Sequence, residues 1–193
     1  MTEDLAAPPR RRTRRDEILD IAVQLFAERG YHGVSMDDIG AAAGVTGPAL
    51  YHHFAGKEAM LAAALTPVSE QLLAGGQERA LEFSGEPAKA LAALVSFHVE
   101  FALAHPAVIA VHLHELDRLP AEPRREIRRL QRQYVEEWVG VLTKLRPQLA
   151  PSEARVLAHA AFGLMNSTPF LGGEVDRDRR AALLCKAALS ALS

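Results

Sequence analysis

Apolar residues recur at helical spacing from one end of this 193-residue sequence to the other. In the first predicted helix, which starts near Thr13, the residues Ile18, Ala22, Leu25 and Phe26 follow the i, i+4, i+7, i+8 pattern of one helix face. The strict alternation of a half-buried β-strand is almost absent. The periodicity therefore predicts an all-α protein.

The composition is typical of a folded chain that dissolves in water. Apolar residues make up 49% of the sequence and charged residues 24%, which excludes a disordered or membrane-embedded protein. Polar or charged side chains interrupt every long apolar stretch, and the first residues do not combine a basic start with an apolar run. We therefore expect a cytoplasmic protein with no membrane partner. Cys185 is the single cysteine, which excludes an internal disulfide and a thiolate zinc cluster.

Cap and turn signals divide the first part of the chain into three short helices and the start of a fourth. These signals are Gly30 after the first helix, the capping-box pair Ser35 and Asp38 at the start of the second, Gly44 at the corner, Thr46 before the third, and Lys57 at the start of the fourth. The second helix should end near Ala43 and the third near Phe54. Pro67 is expected to kink or restart the fourth helix.

Longer apolar helices separated by proline follow beyond residue 80. They are predicted near 87–104, 106–118, 121–146, 152–167 and 176–192. We expect them to form an antiparallel helical body joined to the three-helix head.

The helices near 152–167 and 176–192 have almost no polar face. The chain's own core can cover one side, and the other side then needs a partner, which predicts a homodimer with a closed two-fold interface. The alternative is that both helices are central in a monomer. The predicted interface residues are Val156, Leu157, Ala160, Ala161, Leu164, Leu183, Leu184 and Ala187.

Residues 35–54 have the segment lengths of a helix-turn-helix unit, in which the second helix lies in the DNA major groove. Gly47 and Pro48 begin that helix and are too small to hold its backbone away from DNA. The side chains that could donate hydrogen bonds to phosphates are those of Thr46, Tyr51, His52 and Lys57. Small three-helix packing units give similar patterns, so a purely structural head is the alternative.

A cluster of arginines precedes the first helix, although the net charge of the chain is −2. The cluster consists of Arg10, Arg11, Arg12, Arg14 and Arg15. Residues 35–56 contain two aspartates and no lysine or arginine, so DNA affinity would depend on this arm, on Lys57 and on helix N-terminal amides. We interpret the cluster as a DNA-binding arm; a solvated tail is the alternative.

The sequence resembles the tetracycline-repressor (TetR) family of bacterial transcription regulators. The resemblance rests on Gly44-Val45-Thr46-Gly47-Pro48-Ala49-Leu50-Tyr51-His52-His53-Phe54 with Lys57-Glu58, and on the upstream runs Ile18 to Ala22 and Phe26 to Tyr31. It implies a basic arm at 1–14, a helix-turn-helix head at 15–60 and a ligand-binding and dimerisation body at 61–193. It also implies a repressor that binds a pseudopalindromic operator in double-stranded DNA as a homodimer and is released by a small apolar effector.

The resemblance also implies roles for individual residues. DNA-binding roles fall on Thr46, Gly47, Pro48, Tyr51, His52 and Lys57, and we add the arm arginines and Ser35 to this candidate set. A ligand pocket is expected around Phe97, His98, Phe101, His112, Trp138 and Asn166, although the aromatic residues at helical spacing are equally explained as core. Glu115-Leu116 and the segment Asn166-Ser167-Thr168-Pro169 resemble an actinobacterial subgroup tied to lipid or acyl-coenzyme A metabolism, which suggests an effector of that class.

The histidines and acidic residues between positions 98 and 159 also suggest a metal-dependent or hydrolytic enzyme. That alternative lacks a His-Glu-x-x-His motif, a nucleophile elbow and a phosphate-binding glycine loop. We therefore expect no catalytic residue, no metal and no cofactor. A structural adaptor that uses its apolar helices to bind another protein is the third possibility. The arginine stripe at Arg124, Arg125, Arg128, Arg129 and Arg132 is interpreted as a solvated face paired with Glu122 and Glu126.

Overall fold

The computed structural model describes residues 13–192, and in that part of the chain every regular element is helical. The α-helices are α1 (Arg14–Arg29), α2 (Met36–Ala43), α3 (Gly47–His53), α4 (Lys57–Glu82), α5 (Pro87–Ala104), α6 (Pro106–Glu115), α7 (Ala121–Leu145), α8 (Pro151–Met165) and α9 (Arg177–Leu192). Short 3-10 turns follow α6 at Leu116–Arg118 and α8 at Thr168–Phe170. The all-α prediction is confirmed.

The local cap signals in the head act as predicted, with one exception. Ser35 and Asp38 form a complete capping box at the start of α2, and Gly30 and Gly44 adopt φ values of 72° and 65° at the ends of α1 and α2. Thr46 occupies the cap position of α3, but its side chain makes no capping hydrogen bond. Its hydroxyl is therefore not used to cap the helix.

The head forms its own apolar core from α1, α2, α3 and the start of α4. Ile18, Phe26, Ile39, Leu50 and Met60 are all at most 2% exposed there. Residues of α6 and of the start of α7 pack against this same core. The core holds α3 at a fixed angle, so that only its outer face is free.

Helix α4 connects the head to the body without interruption. The prediction that Pro67 kinks or restarts this helix is wrong in its stronger form, because α4 runs through Pro67 as one element. Farther along, Gly76 lies so close to the Tyr134 ring that a Cβ atom there would approach the ring to 2.5 Å. A glycine at this position therefore allows α4 to pack closely against α7.

The body core lies between α5, α7, α8 and α9. Leu94, Val99, Trp138, Leu142 and Met165 are completely buried in it. Among the described residues, α5 is the helix whose length and apolar composition would allow it to cross a membrane, and this core explains its apolar character, since eight of its residues are buried.

The outer faces of α8 and α9 are partly apolar and exposed. Val156 is 68% exposed and Leu183 is 46% exposed. Two residues of the predicted dimer interface must be corrected, because Ala161 and Leu184 lie on the inner faces and are buried in the chain's own core, at 0% and 9% exposure. The helical period places Ala161 on the same side of α8 as the buried Ala158, and Leu184 on the same side of α9 as the buried Ala188.

Candidate nucleic-acid interface and ligand cavity

The start of α3 presents a continuous exposed face. Pro48, His52 and Thr46 are exposed, and Tyr51 keeps 55% of its surface accessible. Leu50, one residue before Tyr51, is completely buried and fixes the rotation of the helix. The residues that the sequence assigned to DNA on α3 therefore share one accessible surface, and the backbone at Gly47 is open beside them.

Two further predicted DNA contacts already make hydrogen bonds within the head. The ammonium group of Lys57 donates to the carbonyl oxygens of Tyr31 (2.8 Å) and Val34 (2.7 Å) and lies 4.3 Å from the centre of the Tyr31 ring. The Ser35 hydroxyl donates to the Asp38 carboxylate, which lowers the pKa of Asp38. The sequence predicted the capping pair of Ser35 and Asp38, but the hydrogen bonds of Lys57 were missed because they depend on the folded path of the chain between α1 and α2.

The arginine cluster is divided by the start of α1. Arg10, Arg11 and Arg12 lie outside the described residues, whereas Arg14 and Arg15 belong to the first turn of α1. Arg14 donates to the carbonyl oxygen of Ala43 at the end of α2, and the Arg15 guanidinium lies 4.5 Å from the centre of the Phe54 ring. These two arginines therefore tie the three helices of the head together.

A cavity of about 340 Å³ lies in the body between α4, α5, α6, α7 and α8. Its apolar lining comes from Val68, Leu72, Val108, Ile109, Leu113, Val135, Phe162 and Gly163. Its polar lining consists of Ser69, His98, His112, Gln131, Tyr134, His159 and Asn166. No aspartate, glutamate, lysine or arginine of the described chain lines it.

Three of the six predicted pocket residues, His98, His112 and Asn166, line this cavity, and the other three do not. Phe97 packs against Gly75 and under the Arg79 guanidinium, which lies 4.2 Å from its ring centre. Phe101 packs on the His105 ring at 4.9 Å, and Trp138 is completely enclosed in the body core. Helical spacing identified these aromatic residues as inward-facing, but it could not distinguish core from cavity.

A buried hydrogen-bonded chain forms the polar side of the cavity. Nε2 of His98 lies 3.0 Å from Oδ1 of Asn166, and Nδ1 lies 3.2 Å from the Tyr134 hydroxyl. Burial lowers the pKa of His98 to about 4, an effect only partly opposed by the hydrogen bond to Asn166, and burial raises the pKa of Tyr134. At neutral pH the imidazole is therefore uncharged and the phenol keeps its proton.

The segment after α8 holds Asn166 in this position. Asn166 is the last residue of the helix turn, and its backbone N–H donates to the Phe162 carbonyl at 2.8 Å. Two residues on, the buried Thr168 hydroxyl donates to the carbonyl oxygen of Ala102 on α5 at 3.0 Å. The segment from Asn166 to Thr168 is therefore held at one end by α8 and at the other by α5.

Helix α6 lies between the cavity and the head. His112 lines the cavity, where it contacts the Gln131 side chain, and burial lowers the pKa of His112. One turn later, the Glu115 carboxylate accepts a hydrogen bond of 3.1 Å from the backbone N–H of Tyr31. The histidine and glutamate therefore serve different sites, and no described group of three or more His, Cys, Asp or Glu side chains is arranged to hold a metal ion.

Two family models match the chain. The model for bacterial regulatory proteins of the tetR family matches residues 18–64, and the model for the tetracyclin repressor-like C-terminal domain matches residues 84–170. A solved structure of a TetR-family transcriptional regulator from Bordetella parapertussis 12822 is 30% identical and superposes with a TM-score of 0.81, covering 91% of this chain and 93% of that one. This chain belongs to the TetR family.

The TetR relatives include regulators from actinobacteria. The transcriptional repressor KstR2 of Rhodococcus jostii (strain RHA1) is 38% identical over 131 residues. That match covers 67% of this chain and 63% of the repressor, so it spans less than two thirds of the relative's length. The solved structure of the ketosteroid transcriptional regulator KstR2 of Mycobacterium tuberculosis is 26% identical, with a TM-score of 0.81 over 94% of this chain and 95% of that one.

The arginine stripe of this TetR chain lies on α7, and none of its residues lines the cavity. Arg129 pairs with Glu126, as the sequence suggested, but Arg128 pairs with Asp117 at 2.7 Å, outside the predicted partners. Arg15, Arg125, Arg129 and Arg132 border an open groove of about 1040 Å³ there. The groove is broad and solvated, in contrast to the smaller and more enclosed cavity.

Proposed function

We propose that this chain is a transcription repressor that binds a pseudopalindromic operator as a homodimer and leaves it when a small apolar effector fills the body cavity. The observation that carries the proposal is the exposed α3 face, formed by Thr46, Gly47, Pro48, Tyr51 and His52 over the head core. A helix presented in this way fits the major groove. We retain the division into an arm at 1–14, a head at 15–60 and a body at 61–193.

The charges of the head suggest how DNA would be held. The α2–α3 unit carries Asp37 and Asp38 and no basic side chain apart from its histidines, so it adds little to the release of counterions from DNA. Arg10, Arg11 and Arg12 precede a helix that begins beside α3, which suits an arm that follows the DNA backbone. Two N–H groups of the Lys57 ammonium donate within the head. The third would be available to a DNA phosphate, since Lys57 and Tyr51 border the same surface depression.

The exposed apolar residues of α8 and α9 support a homodimer. Val156 and Leu183 are accessible on neighbouring helices, with Leu157, Ala160, Leu164 and Ala187 around them. A two-fold interface formed by both helices from each copy would cover these residues. The two α3 helices would then lie one or more DNA turns apart, roughly 34–36 Å or a multiple.

The effector would be an acyl-CoA or another lipid-derived compound. The cavity is lined mostly by aliphatic and aromatic side chains, which suits a hydrocarbon group, and a relative is named as a ketosteroid regulator. Such a regulator would act in the cytoplasm, where the DNA is. We assign the cavity no catalytic role, because the Ser69 hydroxyl donates to the Leu65 carbonyl and is not activated by a base.

Ligand and DNA would be coupled through α4 and α6. Both helices line the cavity and both pack on the head, and Glu115 joins the end of α6 to the turn at Tyr31. A ligand can weaken DNA binding only to the extent that it prefers the arrangement of heads that does not fit DNA.

A mobility-shift titration of the full chain tests the proposal. The probes are DNA fragments from upstream of its own gene and of the adjacent genes, each with a shuffled fragment of equal composition as control. We expect sequence-specific binding that weakens steeply as salt increases, since phosphate contacts dominate the affinity. Absence of specific binding to any fragment at low salt would contradict the proposal.

A further inference from the structure

Building on the proposed function, we infer that the cavity selects an effector whose enclosed part is uncharged and carries a hydrogen-bond acceptor, such as a ketone oxygen, opposite the side-chain amide of Asn166. Two observations support this ligand class: the direction of the hydrogen bonds around His98, and a described lining that contains no aspartate, glutamate, lysine or arginine.

The hydrogen bonds of His98 determine which part of Asn166 is left for a ligand. A neutral imidazole has one N–H and one acceptor nitrogen. Because Nε2 faces Oδ1 of Asn166, which can only accept, the N–H must be at Nε2, and Nδ1 accepts a hydrogen bond from the Tyr134 hydroxyl. The Asn166 oxygen then already accepts one hydrogen bond, whereas the two N–H donors of its amide have no partner among the described hydrogen bonds.

The absence of charge excludes an anionic group from the same place. The described lining contains no lysine or arginine, His159 is exposed to solvent, and burial disfavours the charged forms of His98 and His112 by lowering the pKa of each imidazole. A carboxylate at Asn166 would lose its hydration without gaining a counter-charge, which is strongly unfavourable. A carbonyl oxygen needs only the donor that Asn166 offers.

The size of the cavity limits the enclosed part further. At about 340 Å³ it is near the small end of ligand pockets, which range over roughly 300–1,000 Å³. It therefore suits a hydrocarbon frame with one oxygen and excludes the nucleotide of an acyl-CoA, whose phosphates would also need cations. If the effector is a thioester, its acyl part alone would be enclosed.

Direct binding without DNA tests the inference. Trp138 is the only tryptophan and its ring centre lies 5.0 Å from that of Phe162 in the cavity wall, so its fluorescence reports on occupancy. The probes are 2-undecanone and cyclododecanone, the matching alcohols 2-undecanol and cyclododecanol, and undecanoate. We expect at least one ketone to bind severalfold more tightly than its alcohol and at least tenfold more tightly than undecanoate.

The variant Asn166→Leu removes the amide donor and should weaken ketone binding about tenfold while leaving undecanoate unchanged. Gln133→Leu, which changes an exposed amide outside the cavity, should leave ketone affinity unchanged. Circular dichroism and operator binding without ligand verify that each variant folds, and Asn166→Ser, which keeps a small donor, should retain part of the preference if Asn166→Leu does not fold.

Three results would overturn the inference: no ketone binds, undecanoate or an alcohol binds more tightly than its ketone, or the loss of the Asn166 amide leaves ketone affinity intact. Failure of the proposed function would appear separately, as loss of operator binding by the ligand-free wild-type chain.

Discussion

His98 lies in the middle of the body with only 3% of its surface exposed, and its position makes the stability of the fold depend on pH. The folded chain holds this imidazole at a pKa of about 4, below the ordinary value of 6.5. Between those two values the unfolded chain binds a proton that the folded chain does not. The stability contributed by the neutral ring is therefore complete above pH 6.5 and is lost as the pH falls towards 4.

We expect the free energy of unfolding to fall by about 2 kcal/mol between pH 7 and pH 5 because of His98 alone. Urea denaturation at the two pH values measures this difference. In His98→Gln, which cannot titrate, the decrease should be smaller by that amount. Replacement of the exposed histidine in His114→Gln serves as the control and should preserve the wild-type dependence. Equal pH dependence in His98→Gln and wild type would show that His98 does not control it.

Tyr51 provides a test of the DNA surface at a single exposed side chain. Because its ring is 55% exposed and outside the head core, Tyr51→Ala should weaken operator binding about tenfold, or about 1.4 kcal/mol, with little change in melting temperature. Phe170→Ala, which removes a 72% exposed ring elsewhere, should leave operator binding unchanged. Fluorescence anisotropy with a labelled operator measures both. A large loss of stability in Tyr51→Ala would identify Tyr51 as a structural residue instead.

The success of prediction from sequence differs between residues according to how local their interactions are. Ser35 and Gly44 act through neighbours within a few positions, so their roles in capping and turning could be read from the sequence. Tyr134 and Gln131 were missed as cavity residues. They are polar residues on an otherwise apolar face of α7, but a polar residue in that position can face either a cavity or the surface. Lys57 was assigned to DNA alone, since its bonds to Tyr31 and Val34 depend on a contact between separate segments.

At the scale of helices, α4 is exceptional because it contains a proline in its interior. Pro67 has no backbone N–H, so the carbonyl of Ala63 lacks its usual donor one turn earlier. Val68, Ser69 and Leu72 line the cavity just beyond this point, and the helix start packs on the head. The weakest turn of α4 therefore separates the part that would contact ligand from the part that would position DNA contacts.

We expect Pro67→Ala to raise the free energy of unfolding by roughly 1–3 kcal/mol, because it restores the missing hydrogen bond. It should also reduce effector-driven release of DNA, since a stiffer α4 resists bending. Urea denaturation and operator titrations with and without 2-undecanone measure the two effects. Pro106→Ala, at the first turn of α6 where a proline costs no hydrogen bond, should show neither effect. An unchanged stability in Pro67→Ala would contradict this account.

The existence and type of each helix followed from periodicity, because burial of one face is repeated along the whole element. The same periodicity explains two errors. It identified α8 and α9 as apolar on nearly all sides but could not tell which residues face inward, so Ala161 of α8 and Leu184 of α9 were placed in an interface. It placed Phe97, Phe101 and Trp138 inside the body without showing that other residues enclose the empty volume.

At the scale of the whole molecule, the proposed dimer depends on a small number of exposed apolar side chains. Val156→Glu should leave the chain folded, since Val156 is 68% exposed, but should prevent association by placing a charge in the interface. Analytical ultracentrifugation at micromolar concentration should show dimers for wild type and monomers for the variant. Leu81→Glu changes a 76% exposed leucine on α4 and should remain dimeric. Dimers of Val156→Glu would place the interface elsewhere.

Helix α8 would contact both the effector in the cavity and the second copy of the chain. A cell can change the concentrations of these two partners separately. His159, Phe162 and Gly163 line the cavity, and His159 and Gly163 lie on the same face of the helix as the exposed Val156 and Ala160, where the second copy is proposed to lie. Occupancy of the cavity and association of two copies would then both involve this one face of α8, so they cannot be independent. The effector level that switches the regulator would depend on how many copies the cell makes, so that scarce and abundant populations of the same protein respond at different thresholds.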